Sequence, residues 1–238
     1  MNNKIEMYFY KKKDMNALIL GATGLVGHEL LELLIMDKRF EKIDLLSRRE
    51  LDMREITVTN HVVDFSNLPE LPIHHPIDVL FVAFGTTIKK AGSQAKQIEV
   101  DVDIPTLVMK LSKKYGIDRC VLISALGVSK NSPFFYSRMK AQLDENAKSI
   151  GFKQLILVKP SILMGPRIEK RSGEQFSIAL GNMIAKTGLI DKYKPVESIS
   201  VAKCMIQSLL ELPDGIHEVT SDKIHEFAQR YTDNEFQK

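Results

Sequence analysis

At residues 21–27 the sequence reads Gly-Ala-Thr-Gly-Leu-Val-Gly, a glycine-rich turn between an apolar run and a segment of helical periodicity. In such a strand–turn–helix unit one glycine permits the tight turn, the next lets the backbone approach a pyrophosphate, and the last lets helix and strand pack closely. The helix N-terminus offers free amides to the phosphates. This context favours a dinucleotide site over a purely structural turn. The residues expected to contact the dinucleotide are Gly21, Thr23, Gly24, Leu25, Val26 and Gly27.

Apolar runs and helical patterns alternate on both sides of this turn. Strands are predicted at 16–20, 43–47, 56–63, 78–84, 119–124, 154–159 and 216–220. Helices are predicted at 25–36, 93–115 with a bend or break at Pro105, 132–150, 174–186, 200–212 and 222–231. Strands this apolar indicate burial on both faces. The sequence predicts an α/β fold, a Rossmann-type doubly wound parallel sheet with a small C-terminal cap.

The predicted organisation is a single NAD(P)-binding domain over residues 15–238, with 165–238 contributing a substrate-side cap. Residues 1–14 are polar and lack the apolar core of a signal peptide. They are interpreted as a flexible extension, with Met15 as an alternative start.

Composition narrows the function classes. The 238 residues carry a formal net charge of +3, with acidic and basic residues interspersed, which argues against a nucleic-acid partner. No apolar run reaches the roughly 20 residues of a membrane span. Cys120 and Cys204 are expected to be buried free thiols in a reducing compartment, so we expect a cytoplasmic protein. His74 and His75 lie between prolines without acidic or cysteine partners at suitable spacing, so no metal site is expected.

The residues after the second predicted strand bear on cofactor preference. NAD-specific sites place an acid there for the ribose 2′-hydroxyl, whereas this chain has Ser47-Arg48-Arg49, and Asp44 comes too early in the strand. A guanidinium can hold a 2′-phosphate with two parallel hydrogen bonds, whereas a carboxylate would repel it. The sequence therefore predicts NADP(H), with NAD(H) as the alternative. Arg48 is the expected binder, and at least one of the two arginines is expected to be a solvated surface residue.

Two further strand ends carry candidate cofactor contacts. Asp64 and Phe65 end the third predicted strand, where an adenine ring would lie, but Asp64 is equally suited to cap the following turn. Gly85, Thr86 and Thr87 follow the fourth strand at the carboxyl edge of the sheet, where ligands bind in open α/β sheets. The alternative for this second group is a plain turn.

Three residues form a candidate catalytic group. Ser124 ends the fifth predicted strand, and Tyr136 and Lys140 follow one turn apart near the start of the next helix. A lysine ammonium beside a phenol favours the phenolate, which makes the tyrosine usable as an acid or base. Ser124 would hold a substrate carbonyl, and Lys140 would also reach the nicotinamide ribose. The alternative is a solvated lysine and a half-buried tyrosine, but the order of the motifs favours the catalytic interpretation.

In this order the motifs resemble the short-chain dehydrogenase/reductases, specifically the atypical branch of the Tat-interactive oxidoreductases. The matching stretches are GATGLVG at 21–27, SRR at 47–49, VVDF at 62–65, GTTIKKAG at 85–92, ISALG at 123–127 and FYSRMK at 135–140. The resemblance implies an NADP(H)-binding Rossmann fold with Ser124, Tyr136 and Lys140 in the catalytic places. It also implies that the segment from Lys159 lies beside the nicotinamide, so Pro160, Ser161 and Ile162 join the cofactor-binding set.

The chain departs from the family pattern at two places. Lys159 and Ser161 replace the outer residues of the usual Arg-Pro-Gly. The asparagine that many relatives carry in the helix after the fourth strand is replaced by nearby Asp101 and Asp103, which puts the family's proton relay in doubt.

These observations predict an oxidoreductase that transfers hydride to or from a small carbonyl or alcohol substrate. A regulatory protein that senses NADP(H) without turnover is a second hypothesis, since fold does not fix function. A third is a nucleotide-sugar epimerase, although few residues after 160 are left for its large substrate region. Oligomeric state is left open.

Overall fold

A seven-stranded parallel sheet forms the centre of residues 15–164 and 195–236, which are the parts of the chain that the computed structural model describes. The described residues form nine strands, seven of which belong to this sheet. They are β1 Met15–Leu20, β2 Phe40–Ser47, β3 Val58–Val62, β4 Val79–Val82, β5 Arg119–Ile123, β6 Gln154–Lys159, β7 Leu163–Met164, β8 Val196–Glu197 and β9 Gly215–Thr220. The sheet order is β3-β2-β1-β4-β5-β6-β9, and β7 pairs separately with β8. Successive strands are added on one side of β1 up to β3 and on its other side from β4 onward. This switch between β1 and β4 leaves a crevice at the carboxyl ends of these two strands.

Helices cover both faces of this sheet. They are α1 Leu25–Met36, α2 Ile88–Ala91, α3 Gln94–Ile98, α4 Ile104–Tyr115, α5 Phe135–Ile150, α6 Ser198–Glu211 and α7 Ser221–Phe236. A 3-10 turn at Phe65–Asn67 and a π-helical turn at Glu99–Asp103 complete the described elements. None of the described helices combines the length and the hydrophobicity of a membrane-spanning segment. The architecture confirms the predicted Rossmann-type α/β fold.

The inner strands of the sheet are buried on both faces, as their apolar sequences predict, whereas the edge strands β3 and β9 are partly exposed. In β1, Ala17 and Ile19 pack into the core beneath α1, α6 and α7, whereas Leu18 and Leu20 pack into the core beneath α4 and α5. Because side chains alternate along a strand, one short apolar run serves two cores.

The bend or break predicted at Pro105 takes the form of a change in helix type. A π-helical turn lies between α3 and α4 with helical backbone on both sides, and Pro105 lies in the first turn of α4. Proline has no amide hydrogen and cannot donate to the turn before it, which accounts for the irregular turn at this place. This turn buries Asp101 and leaves Asp103 exposed.

The described C-terminal residues extend the sheet. β9 pairs in parallel with β6, while α6 packs against α1 and α7. Gln154 connects β6 to the end of α6, because its side-chain amide donates to the carbonyls of Leu209 and Leu212 at 3.1 and 2.6 Å. Residues 1–14 and 165–194 lie outside the described residues, so the extension, the helix at 174–186 and the substrate-side cap over 165–194 stay predictions.

We expect Gly27→Ala to destabilise the fold, because a Cβ at this position would overlap the carbonyl group of Gly21. Both atoms belong to backbone, so α1 would have to move away from β1, and the free energy of unfolding should fall by about 1–3 kcal/mol. Urea titration followed by circular dichroism measures the change. Glu32→Ala, on the exposed side of the same helix, is the control. Equal midpoints for the two variants would contradict the packing role of Gly27.

Candidate functional site

The glycine-rich turn brings the end of β1 against the end of β4. Gly21 has a φ of +101°, and a Cβ there would lie 2.6 Å from the carbonyl oxygen of Ala83. The Gly24 amide donates to the Gly21 carbonyl at 2.9 Å, and α1 starts at Leu25. Val26 packs in the core, so it faces the crevice only through its backbone. The first amides of α1 have no acceptor within the helix, and they are the groups expected to meet phosphates.

A cleft of about 430 Å³ opens beside this turn. Its described lining consists of Gly21, Ala22, Thr23, Leu46, Ser47, Arg48, Arg49, Leu51 and Phe84. Two arginines and no carboxylate are found among these residues. The cleft thus joins the end of β1 to the end of β2, where the adenosine half of a dinucleotide is expected.

Hydrogen bonds shape the loop that carries the two arginines. Ser47 Oγ lies 2.5 Å from the Arg49 carbonyl oxygen and 2.9 Å from Asn60 Oδ1, and Asn60 Nδ2 donates to the same carbonyl at 3.3 Å. Arg48 and Arg49 are both exposed, and neither forms an ion pair with a described residue. Their guanidinium groups are therefore accessible at the cleft.

Asp44 is committed to another part of the sheet. Its carboxylate is buried, 2.7 Å from His61 Nε2 and 3.1 Å from His75 Nε2. It lies in the middle of β2 rather than at its end. Asp44 is therefore not a member of the cleft lining.

Asp64 and Phe65 both make contacts with other described residues of the chain. Asp64 Oδ1 accepts from the amide and hydroxyl of Ser66 at 2.9 and 2.7 Å, and these bonds lower the pKa of the Asp64 carboxyl. Phe65 is buried, with its ring centroid 5.8 Å from that of Phe84. Phe84, rather than Phe65, lines the cleft. Asp64 therefore caps the turn that follows it, which was one of its two predicted roles. Contacts of Asp64 and Phe65 with adenine stay predictions.

Sequence reasoning missed Phe84 as a cleft residue. It treated residue 84 as the last residue of an apolar strand, although β4 ends at Val82 and Phe84 already belongs to the loop. Its position directly before Gly85, at the carboxyl edge of the sheet, was the available signal.

The loop after β4 is tied to the buried Asp101. The Thr86 amide donates to Asp101 Oδ2 at 2.8 Å, and a Cβ on Gly85 would lie 2.8 Å from Asp101 Oδ1. Thr87 Oγ1 caps α2 by accepting from the Lys90 amide at 3.3 Å. Gly85 thus makes room for a carboxylate of this chain, a reason that the sequence did not reveal.

Ser124 lies directly after β5 at the same edge. Its amide donates to the Val158 carbonyl at 2.8 Å, and the Leu126 amide donates to the Pro160 carbonyl at 2.9 Å. The Ser124 side chain is buried, and its Oγ has no hydrogen-bond partner among the described residues. A buried hydroxyl without a partner is costly, so such an atom at a ligand-binding edge points to a functional contact.

The first turns of α5 contribute Tyr136 and Lys140. The Ser129 amide donates to Ser137 Oγ at 3.0 Å, which ties the loop after Ser124 to the start of α5. Tyr136 is half-buried, whereas Lys140 is only 5% exposed, with its Nζ 3.8 Å from Asp101 Oδ1. The alternative of a solvated lysine is thus excluded. Contacts through Asp101 join Lys140 to the loop that carries Thr86.

The segment after β6 follows the sheet's carboxyl edge. Pro160 and Ser161 are buried, Ile162 is exposed, and the Ser161 amide donates to Ser221 Oγ at 2.6 Å. The ammonium group of Lys159 pairs with carboxylates of α5 and β9. The placement of this segment beside the nicotinamide stays a prediction.

An ion-pair group explains the position of Lys159. Its Nζ lies 3.1 Å from Asp144 Oδ2 and 2.8 Å from Glu218 Oε2. Burial lowers the pKa of Lys159, but the hydrogen bond to Glu218 and the charge of Asp144 outweigh this effect, so the pKa is raised. Asp144 itself is buried, and Lys159 supplies its countercharge.

Comparison with known proteins relates this geometry to nucleotide-binding proteins. The family described as "Semialdehyde dehydrogenase, NAD binding domain" matches residues 16–126. The mitochondrial protein FMP52 of Candida albicans is 31% identical over 216 residues, which cover 88% of this chain and 93% of that protein. HTATIP2 of Rattus norvegicus is 29% identical over 218 residues, covering 90% of this chain and 89% of its own.

A solved structure gives the same picture of the fold. The human epimerase family protein SDR39U1 (isoform 2), determined with NADPH, aligns with a TM-score of 0.56 and 17% identity over 87% of this chain and 74% of its own. The similarity to HTATIP2 confirms the resemblance to the Tat-interactive branch. The chain contains a Rossmann-type domain of the NAD-binding class.

The same relatives overturn one expectation. FMP52 proteins, that of Candida albicans among them, are named as mitochondrial. The prediction of a cytoplasmic location is therefore contradicted. Its basis was the presence of two unpaired cysteines, and buried free thiols are compatible with any reducing compartment.

We expect Lys159→Met to destabilise the protein by about 3 kcal/mol, because Asp144 would remain buried without its countercharge. Adding Asp144→Asn should recover part of the loss by removing the uncompensated carboxylate. Both effects are measured by urea unfolding at neutral pH.

Lys153→Met is the matched control for this pair. The lysine side chain is 65% exposed and pairs with Asp118, so its loss should change stability by less than about 1 kcal/mol. If the two lysine variants lose the same stability, Lys159 does not neutralise a buried charge.

Proposed function

This chain belongs to the family of the FMP52 proteins, and we propose that it is an NADP(H)-dependent oxidoreductase of the short-chain dehydrogenase/reductase type. Its substrate would be a small carbonyl compound or the corresponding alcohol. The match to the NAD-binding domain of the semialdehyde dehydrogenases and the likeness to an epimerase family protein solved with NADPH support dinucleotide-dependent chemistry.

The observation that carries the proposal is the partnerless hydroxyl of Ser124. Its Oγ is buried and makes no hydrogen bond to a described residue, although it lies at the carboxyl edge where α/β sheets bind ligands. A substrate carbonyl oxygen would accept a hydrogen bond from it and remove the cost of the unsatisfied donor. A purely structural serine at this depth would be expected to have a partner.

The residues of the chain fit a nicotinamide dinucleotide on independent grounds. The glycines of the turn from Gly21 to Gly27 pack against the chain's own backbone, and this packing holds the first amides of α1 at the crevice where a pyrophosphate would bind. The cleft beside it has an apolar wall that includes Phe84 and Leu51, which suits an adenine ring. When bound, the dinucleotide would supply or accept the hydride.

The proposed roles follow from the chemistry of each group. Ser124 holds the carbonyl oxygen, and Tyr136 gives it a proton as the carbonyl carbon is reduced. The Lys140 ammonium lies one helical turn from Tyr136 and stabilises the phenolate that remains. Water then returns a proton to Tyr136, and in the direction of alcohol oxidation each transfer is reversed.

The preference for NADP(H) rests on charge at the cleft. Arg48 and Arg49 are exposed in its lining, and no described lining residue carries a carboxylate. A ribose 2′-phosphate would therefore meet positive charge without repulsion. Asp44, which the sequence places too early in its strand to reach the ribose, pairs with His61 and His75 instead.

Tyr136→Phe tests the proposed acid. We expect turnover of a panel of aldehydes and ketones to fall about 10²–10⁴-fold, since the proton donor is lost while the ring remains. NADPH affinity should stay near the wild-type value. Turnover is followed by NADPH absorbance and binding by calorimetry.

Tyr115→Phe is the control for this variant. Its hydroxyl donates to the carbonyls of Ile73 and His75 at the opposite end of the sheet, so turnover should be retained. Full activity of Tyr136→Phe would refute the mechanism. Tight NADPH binding by a wild-type protein that reduces no carbonyl compound would instead favour a sensor of the nucleotide.

The neighbouring arginines allow a paired test of cofactor preference. Arg48→Ala should raise the Kd for NADPH about 10- to 100-fold, because charged hydrogen bonds to the 2′-phosphate are lost, and leave the Kd for NADH unchanged. Arg49→Ala should change both values little. A loss of NADH affinity equal to that of NADPH would show that Arg48 does not recognise the 2′-phosphate.

A further inference from the structure

A buried carboxylate lies beside the proposed catalytic lysine. Asp101 belongs to the π-helical turn before α4 and is 2% exposed. Its Oδ1 lies 3.8 Å from Lys140 Nζ, and its Oδ2 accepts a hydrogen bond from the Thr86 amide at 2.8 Å. One carboxylate therefore contacts both the lysine on α5 and the loop that follows β4.

The glycine before Thr86 shows how tightly this carboxylate is enclosed. A Cβ on Gly85 would lie 2.8 Å from Asp101 Oδ1, the same oxygen that faces Lys140. A side chain at residue 85 would push the carboxylate away from the lysine. The absence of a side chain at Gly85 is thus a condition for the contact between Asp101 and Lys140.

The surrounding charges leave Asp101 as the countercharge of Lys140 among the described residues. Asp144 follows Lys140 by one turn on α5, but Lys159 of β6 lies 3.1 Å from its carboxylate. Tyr136 precedes Lys140 by one turn, and Asp103, on the same turn as Asp101, is exposed. An ammonium group as deeply buried as that of Lys140 needs a nearby negative charge.

We propose that Asp101 is a positioning residue of this site: its carboxylate holds Lys140 with one oxygen and the Thr86 amide with the other, and so fixes the ammonium relative to the cofactor loop. The proposal rests on the proposed function, because it acts through Lys140. An asparagine at this position could accept the same hydrogen bond from Thr86, but it could not supply the charge. Asp101 thus supplies a negative charge to Lys140 and a hydrogen-bond acceptor to Thr86, and different substitutions can remove these two roles separately.

Asp101→Asn removes the charge and keeps the acceptor for Thr86. We expect kcat to fall about 10- to 100-fold through misplacement of the ammonium, with the Kd for NADPH within about twofold of wild type. The KM for the carbonyl substrate should stay within about twofold of wild type, because the carboxylate acts on the position of Lys140 and not on substrate binding. Asp103→Asn, two residues away and exposed, should change none of these quantities.

Asp101→Ala removes the acceptor as well. Because the Thr86 amide then has no partner in the loop, the Kd for NADPH should rise about tenfold, an effect that Asp101→Asn lacks. Equal NADPH affinities for these two variants would overturn the role of Asp101 in holding the loop.

A readout on the lysine itself separates this inference from the proposed function. The acetylation rate of Lys140 relative to that of the exposed Lys153, measured by mass spectrometry after competitive labelling with acetic anhydride at a single pH, should be higher in Asp101→Asn than in the wild type, because the amine is no longer held against a carboxylate. If neither this relative rate nor kcat changes, Asp101 does not position Lys140. If the relative rate changes but the wild type reduces no carbonyl compound, the contact stands and the oxidoreductase proposal fails.

Discussion

Backbone-to-backbone contact at the glycine turn is the constraint on which the site depends. Gly21 approaches the carbonyl of Ala83 so closely that any side chain would collide with it, and Gly27 lies against Gly21. These contacts set the distance between β1, α1 and β4. As a result, the start of α1 faces the crevice where the strand order reverses, and both the cleft at Arg48 and the loop at Gly85 open onto the same edge.

Buried charge is the second organising feature of this edge. Tyr136, Lys140 and Asp144 follow one another at one-turn spacing along α5, and the two charged groups are buried. The countercharge of Lys140 is Asp101, from the turn before α4, and that of Asp144 is Lys159, from β6. Because an uncompensated buried charge is costly, these pairs restrict how α5 can sit against the sheet. The helix that carries the proposed acid is thereby placed by electrostatics as well as by apolar packing.

The differences between sequence and structure have physical causes. The family pattern did not indicate the ion pairs of Lys159, whose long side chain turns toward the carboxylates within reach, here Asp144 and Glu218. Phe84 was counted with its strand because apolar runs do not reveal where a strand ends. The sequence could not show why residue 85 is a glycine. A side chain there would meet Asp101, which lies sixteen residues further along the chain and on another element.

The sequence by itself determined the alternation of strands and helices, the glycine turn and the order Ser124, Tyr136, Lys140, because local periodicity and short motifs are properties of neighbouring residues. It also located the irregular helical turn before α4, since proline acts on its own turn of helix. Only the tertiary structure decided that Ser124 Oγ is buried without a described partner, that Lys140 faces Asp101, and that Asp44 is held between two histidines. Those features depend on contacts between residues distant in the chain, and no local pattern encodes such distances.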